Sequence, residues 1–306
     1  MHEPQPDAGP LLSAVDFSPP SRHAAQRAAA LARQQGRALA LLHVLPEGPL
    51  AQMRQWLGAA SAPEARLLAG AQAQLAQWAE ALRAEGGTVH ESVVVGSPVD
   101  EVLRQTQAQA APLLVLGARG TGYLRRLMLG STAERLLRRS PGPLLVVRQT
   151  PHEPYRRVLV AVDFSPWSAA AVALARTAAP GATLLLTSVF QVPFEEKLRF
   201  AGVDEATIAQ YRRRGEGTTL QGLQALAAAA GLSPPQWLPL VLEGDASLQL
   251  VQAEQEHDCD LVVLGKHGVS AAVDLLLGST TRHVLAEGEA DVLISTAHTA
   301  TPAAAT

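Results

Sequence analysis

Two stretches of this chain carry residue types suited to holding phosphate, and they are spaced alike. The first reads Gly117-Ala118-Arg119-Gly120, then nine residues, then Gly130-Ser131-Thr132. The second reads Gly265-Lys266-His267-Gly268, then nine residues, then Gly278-Ser279-Thr280. Each follows an apolar run, ending in Leu116 or Leu264, and each finishes where a helix is predicted to start. Glycine lets backbone N–H groups approach an anion without a Cβ in the way and permits positive φ. A helix start adds N–H groups that lack intrahelical partners and a dipole that favours negative charge. The serine and threonine hydroxyls can donate to phosphate oxygens. A purely structural reading stays open, in which the glycines shape turns and the Ser-Thr pair caps a helix. Neither the P-loop spacing nor a G-x-G-x-x-G run after the first strand is present.

Asp16 and Asp163 each end a predicted first strand. A carboxylate there can accept a hydrogen bond from a ribose hydroxyl or an adenine amine, or it can hold the strand-to-helix turn through local backbone bonds. Both readings stand at this level. His23, His43, His90 and His283 show no spacing for a metal site or a catalytic dyad and read as surface or satisfied core residues. No serine lies in a G-x-S-x-G elbow, so nothing supports a hydrolase triad. The single cysteine, Cys259, excludes an intrachain disulfide and reads as a small buried thiol at a strand entrance.

The elements that must position these residues are set by an internal repeat. Ala14-Val15-Asp16-Phe17-Ser18-Pro19 recurs as Ala161-Val162-Asp163-Phe164-Ser165-Pro166, and Leu113-Leu114-Val115-Leu116-Gly117 recurs as Leu261-Val262-Val263-Leu264-Gly265. With the Gly-Ser-Thr pair, three matches fall in order at a nearly constant offset, which is the mark of a duplicated unit. The length of 306 residues accommodates two cores. The boundary falls in Thr150-Pro151-His152-Glu153-Pro154.

Within each copy, apolar β-rich runs alternate with helical stretches, the pattern of a parallel sheet covered on both faces. Strands are expected near 11–15, 38–45, 89–95, 112–117 and 143–147, and again near 157–162, 182–189, 237–242, 260–264 and 291–295. Ser18-Pro19 and Ser165-Pro166 suit helix starts. The expected fold is α/β: two tandem doubly wound, Rossmann-like domains of five strands each, covering 1–150 and 151–306, with a disordered tail from about 296. Doubly wound sheets place ligands beyond the carboxyl ends of their strands. The stretches 50–86 and 195–230, which include Trp56, Trp78 and Tyr211, read as the second helix of each copy. Their extra length covers the sheet or offers a partner surface.

Composition narrows the function classes. A hydrophobic share of 47% with 17% charged residues describes a soluble globular chain. A formal charge of -3 gives no basic footprint for nucleic acid. No run reaches the roughly 18 apolar residues of a membrane span, and the N-terminus lacks the look of a signal peptide, so a cytoplasmic location without membrane contact is expected.

Taken together, the motifs resemble those of tandem members of the universal stress protein family, over nearly all of residues 11–295. The resemblance rests on G-x2-G-x9-G-[ST] after a hydrophobic fourth strand in both copies, and on Asp16 and Asp163 ending the first strand. Val44 and Val189 end the second strand, and Val93, Gly96 and Pro98 form a V-x-x-G-x-P turn. Copy two keeps Gly244 but has Ala246 at the proline's place.

The resemblance implies an ATP-binding stress sensor or regulator, with Mg²⁺ left open. The nucleotide would be held by Asp16, Val44, Leu116, Gly117, Arg119, Gly120, Gly130, Ser131 and Thr132. The second site would comprise Asp163, Val189, Leu264, Gly265, Gly268, Gly278, Ser279 and Thr280. No residue is assigned a catalytic role. The alternatives are a nucleotide-free protein-interaction module with an unnamed protein partner and a slow ATPase or autokinase. The resemblance also implies edge-to-edge pairing of 143–147 with 291–295, an intramolecular pseudo-dimer, with a homodimer of chains open. Copy one has Arg119, Arg125 and Arg126, whereas copy two has Lys266 and His267 but Val273 and Asp274 at the places of Arg125 and Arg126, which leads us to expect tighter binding by copy one.

Overall fold

The computed structural model describes residues 9–51, 62–118, 129–266 and 277–296. By contacts the chain divides into two compact units, Met1–Pro154 and Tyr155–Thr306.

Unit 1 is built from β1 (Leu11–Val15), α1 (Pro19–Gln34), β2 (Leu39–Pro46), α2 (Ala62–Ala84), β3 (Val89–Gly96), α3 (Pro98–Ala108), β4 (Leu114–Gly117), α4 (Ser131–Arg139) and β5 (Leu144–Val147). The strand order is β3-β2-β1-β4-β5, and the described pairings are parallel. Such an order reverses direction between β1 and β4. The right-handed crossover rule then puts α1 and α2 on one face and α3 and α4 on the other. An Arg139–Asp100 ion pair at 2.7 Å joins α4 to α3. The expected α/β fold with parallel five-stranded sheets is what the chain adopts.

The inner strands are apolar throughout because both faces are covered. All four residues of β5, Leu-Leu-Val-Val, are buried. The edge strand β3 is largely open to solvent, with only Val89 buried. Helix α1 lies close to the sheet through small residues: Ala24, Ala25, Ala28, Leu31 and Ala32 are buried at helical spacing. Its start is fixed by Ser18, whose Oγ accepts from Ser21 N–H, and by Pro19 in the first turn. Buried Arg27 on the same helix donates to the carbonyl of Glu153 at 2.8 Å, which fastens the end of the unit to α1.

Unit 2 repeats the plan with β6 (Arg157–Ala161), α5 (Pro166–Ala178), β7 (Thr183–Phe190), α6 (Glu195–Phe200), α7 (Glu205–Ala229), β8 (Trp237–Glu243), α8 (Ala246–Glu256), β9 (Leu261–Gly265), α9 (Ser279–Glu287) and β10 (Asp291–Ser295). Its order is β8-β7-β6-β9-β10. Pro239 sits opposite Leu186 in β8, tolerable because β8 is an edge whose N–H groups are not all needed.

One expectation is corrected here. The stretch 195–230 is two helices, α6 and α7. Gly202 adopts φ +81°, which ends the first, and the Asp204 carboxylate accepts from Thr207 N–H at 2.9 Å, which starts the second. In α8 an aspartate does the work of the missing proline: Asp245 caps the helix by accepting from Ser247 and Leu248 N–H.

Candidate functional site

The strand order places a topological switch between β1 and β4 in unit 1, and between β6 and β9 in unit 2, with ligand space expected at the carboxyl ends. Asp16 directly follows β1, and Gly117 ends the neighbouring β4. Ala14 pairs with Leu116 in register, so Asp16 and Gly117 lie within one residue step of each other across the switch. Val44 ends the buried part of β2. The structure therefore brings Asp16, Val44, Leu116 and Gly117 to one sheet edge. Asp163, Val189, Leu264 and Gly265 are assembled in the same way by β6, β7 and β9.

The aspartates do turn work. Asp16 Oδ1 accepts from Ser18 N–H at 3.1 Å and from Ser18 Oγ–H at 2.5 Å. Asp163 Oδ1 accepts from Ser165 N–H at 3.0 Å and from Ser168 Oγ–H at 3.1 Å. These bonds fix the carboxylate at the strand end. Gly117 also has a packing reason: a Cβ there would lie 2.7–2.8 Å from the Pro20 carbonyl and Ser21 N. The first turn of α1 can approach β4 only because position 117 has no side chain.

Gly130 and Gly278 are the N-caps of α4 and α9, and neither helix has a side-chain cap bond. Ser131, Thr132 and Ser279 are exposed in the first turns, with Thr280 half-buried. Gly130 N–H donates to the Ala118 carbonyl at 2.9 Å, so the two ends of the glycine-spaced loop meet. An uncapped helix start is a place where an anion's charge is favoured and its oxygens find donors. Arg119, Gly120 and Gly268 lie outside the described residues, as do Arg125, Arg126, Val273 and Asp274. Among described residues, unit 2 adds buried Lys266 immediately after Gly265, where unit 1 has Ala118. No group of three His, Cys, Asp or Glu among the described residues is placed to hold a metal ion.

The profile of the universal stress protein family matches residues 9–148 and 154–295. The chain belongs to the universal stress protein family. That membership associates it with stress response. Universal stress protein Rv2005c of Mycobacterium tuberculosis is 28% identical over 212 residues, 68% of this chain and 69% of the relative. Universal stress protein Rv2623 of the same organism is 26% identical over 218 residues, 70% of each chain. Among solved structures, a universal stress protein of Archaeoglobus fulgidus superposes with a TM-score of 0.68 at 18% identity, covering 95% of this chain and 98% of that one. A protein of unknown function from Pseudomonas aeruginosa PAO1 gives 0.61 at 21% identity, covering 94% and 92%. At these identities the structural likeness concerns the fold. No described helix is long and apolar enough to cross a membrane.

Sequence reasoning passed over one cluster. Phe17 adopts φ +63°, and its ring lies 4.3 Å from His43 and edge-on to Trp78 at 5.5 Å. The Arg22 guanidinium lies 5.1 Å from the centre of the Trp78 ring. His43 is the buried, satisfied core residue its context implied, with Nδ1 2.7 Å from the Val15 carbonyl. Burial depresses its pKa, opposed by that hydrogen bond and by Asp16. The available signal was the phenylalanine itself, present after the aspartate in both copies.

Proposed function

We propose that each unit binds an adenine nucleotide, ATP foremost, beyond the carboxyl ends of its central strands, and that the protein acts as a nucleotide-dependent stress regulator. Phosphates would meet the helix starts at Gly130-Ser131-Thr132 and Gly278-Ser279-Thr280. The nucleoside would lie towards Asp16 and Val44, or Asp163 and Val189, flanked by Leu116 and Gly117, or Leu264 and Gly265. The remaining motif positions, Arg119, Gly120 and Gly268, enter this reading through their spacing. The observation that carries it is the pair of uncapped, glycine-started helices beside strand-end aspartates, built twice on one plan. Mg²⁺ would be held through the phosphates, since this cation keeps several waters and needs few protein ligands. Assignment to the cytoplasm fits a chain with one cysteine, which is buried.

A protein-interaction role is favoured by a different observation. Unit 2 exposes large apolar side chains, Phe200 at 96% and Phe194 at 70%. The two roles are compatible. Calorimetric titration of ATP–Mg²⁺ into nucleotide-stripped full chain tests the first, with Ser131→Ala and Ser279→Ala reporting on each site. Two sites are expected, each weakened by its own substitution. No heat, and no binding of a dye-labelled nucleotide, would overturn the nucleotide reading in favour of the interaction role.

A further inference from the structure

The phenylalanine after each strand-end aspartate has the same backbone in both units but different surroundings. Phe17 and Phe164 adopt φ of +63° and +59°. This left-handed region is disfavoured for a bulky side chain and is held only where neighbouring structure over-determines it. In unit 1 the ring is half-buried and packed against aromatic partners. Four separate elements meet there: the β1–α1 turn gives Phe17, α1 gives Arg22, β2 gives His43 and α2 gives Trp78.

Unit 2 keeps the phenylalanine and replaces its partners. Ser188 precedes Val189 where His43 precedes Val44, and Ala169 follows Ser168 where Arg22 follows Ser21. The ring of Phe164 lies over Gly222 of α7, where a Cβ would come 2.8 Å from Cε1 and Cζ. Phe164 remains 47% exposed. A second glycine on the same helix, Gly215, gives the same room to Phe190 at the end of β7. Two helix-interior glycines, each unfavourable to the helix, thus seat two phenylalanine rings at the strand ends.

We propose that Phe17 and Phe164 wall the nucleoside end of their sites, with the wall fixed in advance in unit 1 and closing only on bound nucleotide in unit 2. The proposal rests on the nucleotide reading above. The rings start beside the carboxylates that the reading gives to the nucleoside, and flat aromatic bases are recognised by stacking on such rings. A retained left-handed phenylalanine whose packing partners have been replaced points to a demand on the ring's position that the core alone does not make. Pre-organisation in unit 1 lowers the ordering cost of binding, and unit 2 meets that cost when ligand arrives.

The test is hydrogen–deuterium exchange on the full chain, with and without saturating ATP–Mg²⁺, after calorimetry has established binding. In the free protein, amides at 17–22 should exchange slowly and those at 164–169 at least about tenfold faster, in keeping with the difference in packing. ATP should slow the second set strongly and leave the first nearly unchanged. Trp78→Gly, which gives α2 a glycine as at Gly222, should make 17–22 behave like 164–169, whereas Trp78→Phe should not; melting curves check that both variants fold. Phe17→Ala and Phe164→Ala should weaken their own sites roughly 5- to 150-fold, the range seen for base-stacking aromatics. Equal exchange in the free units, or equal protection of both by ATP, would overturn the proposal while leaving the nucleotide reading standing. Absence of any binding in the calorimeter would overturn both.

Discussion

His43 Nδ1 and the Val15 carbonyl oxygen lie 2.7 Å apart across the register pair that joins β2 to β1. A carbonyl only accepts, so Nδ1 carries the proton in either charge state, and the neutral ring leaves Nε2 as the basic nitrogen. Burial holds this ring's pKa below its ordinary 6.5.

A depressed histidine pKa has a definite consequence for stability. The unfolded chain takes up the proton first, so the contribution of neutral His43 is complete above about pH 6.5 and is lost as pH falls below it. The loss ends once pH passes the folded-state value. Its slope cannot exceed about 1.4 kcal/mol per pH unit for one proton. Thermal or urea melts between pH 7.5 and 5 should therefore show a fall in wild type that is smaller in His43→Gln. Parallel pH profiles for the two would remove His43 from the account.

Gly117 should resist substitution on packing grounds alone. Gly117→Ala drives a Cβ into the Pro20 carbonyl and Ser21 N, backbone atoms that have little freedom to yield. A cost of about 1–3 kcal/mol is expected, visible as a lowered denaturation midpoint without ligand. An unchanged midpoint would show that α1 can shift. Loss of nucleotide binding in this variant would not by itself identify a ligand contact.

The two helix-start serines should differ. Ser18 Oγ accepts from Ser21 N–H and donates to Asp16, so Ser18→Ala should cost about 1 kcal/mol. Ser165 occupies the N-cap of α5 without a side-chain cap bond, and its buried Oγ has no partner among the described residues. Ser165→Ala should be neutral or slightly stabilising, because it removes an unsatisfied polar atom. Equal losses in the two variants, measured by melting, would contradict the geometry.

Cys259 should be inert in the native protein. Burial, reinforced by Asp260 and Glu254, pushes its thiol pKa up to about 12, so thiolate is scarce at neutral pH. Alkylation at pH 8 should be at least about 100-fold slower in native than in urea-unfolded protein. Prompt labelling of folded chain would show that the β9 start opens readily.

The sequence by itself determined the architecture. Short apolar runs bounded by turn residues, such as Leu144–Val147 and Leu261–Leu264, read as strands covered on both faces, and the repeated Asp-Phe-Ser-Pro and Gly-Ser-Thr segments announced two copies of one plan. It also put Asp16, Gly117 and their counterparts Asp163 and Gly265 at strand ends, because strand ends are local features. It did not resolve the break between α6 and α7, where the helical pattern runs on and only Gly202 and Asp204 mark the interruption. Tertiary structure alone decided what those residues do. Gly117 makes room for α1, and Phe17 is held by His43 and Trp78 while Phe164 lies over Gly222. The reason is physical: close backbone approach and ring packing depend on atoms that meet only after the sheet has assembled, from positions far apart along the chain.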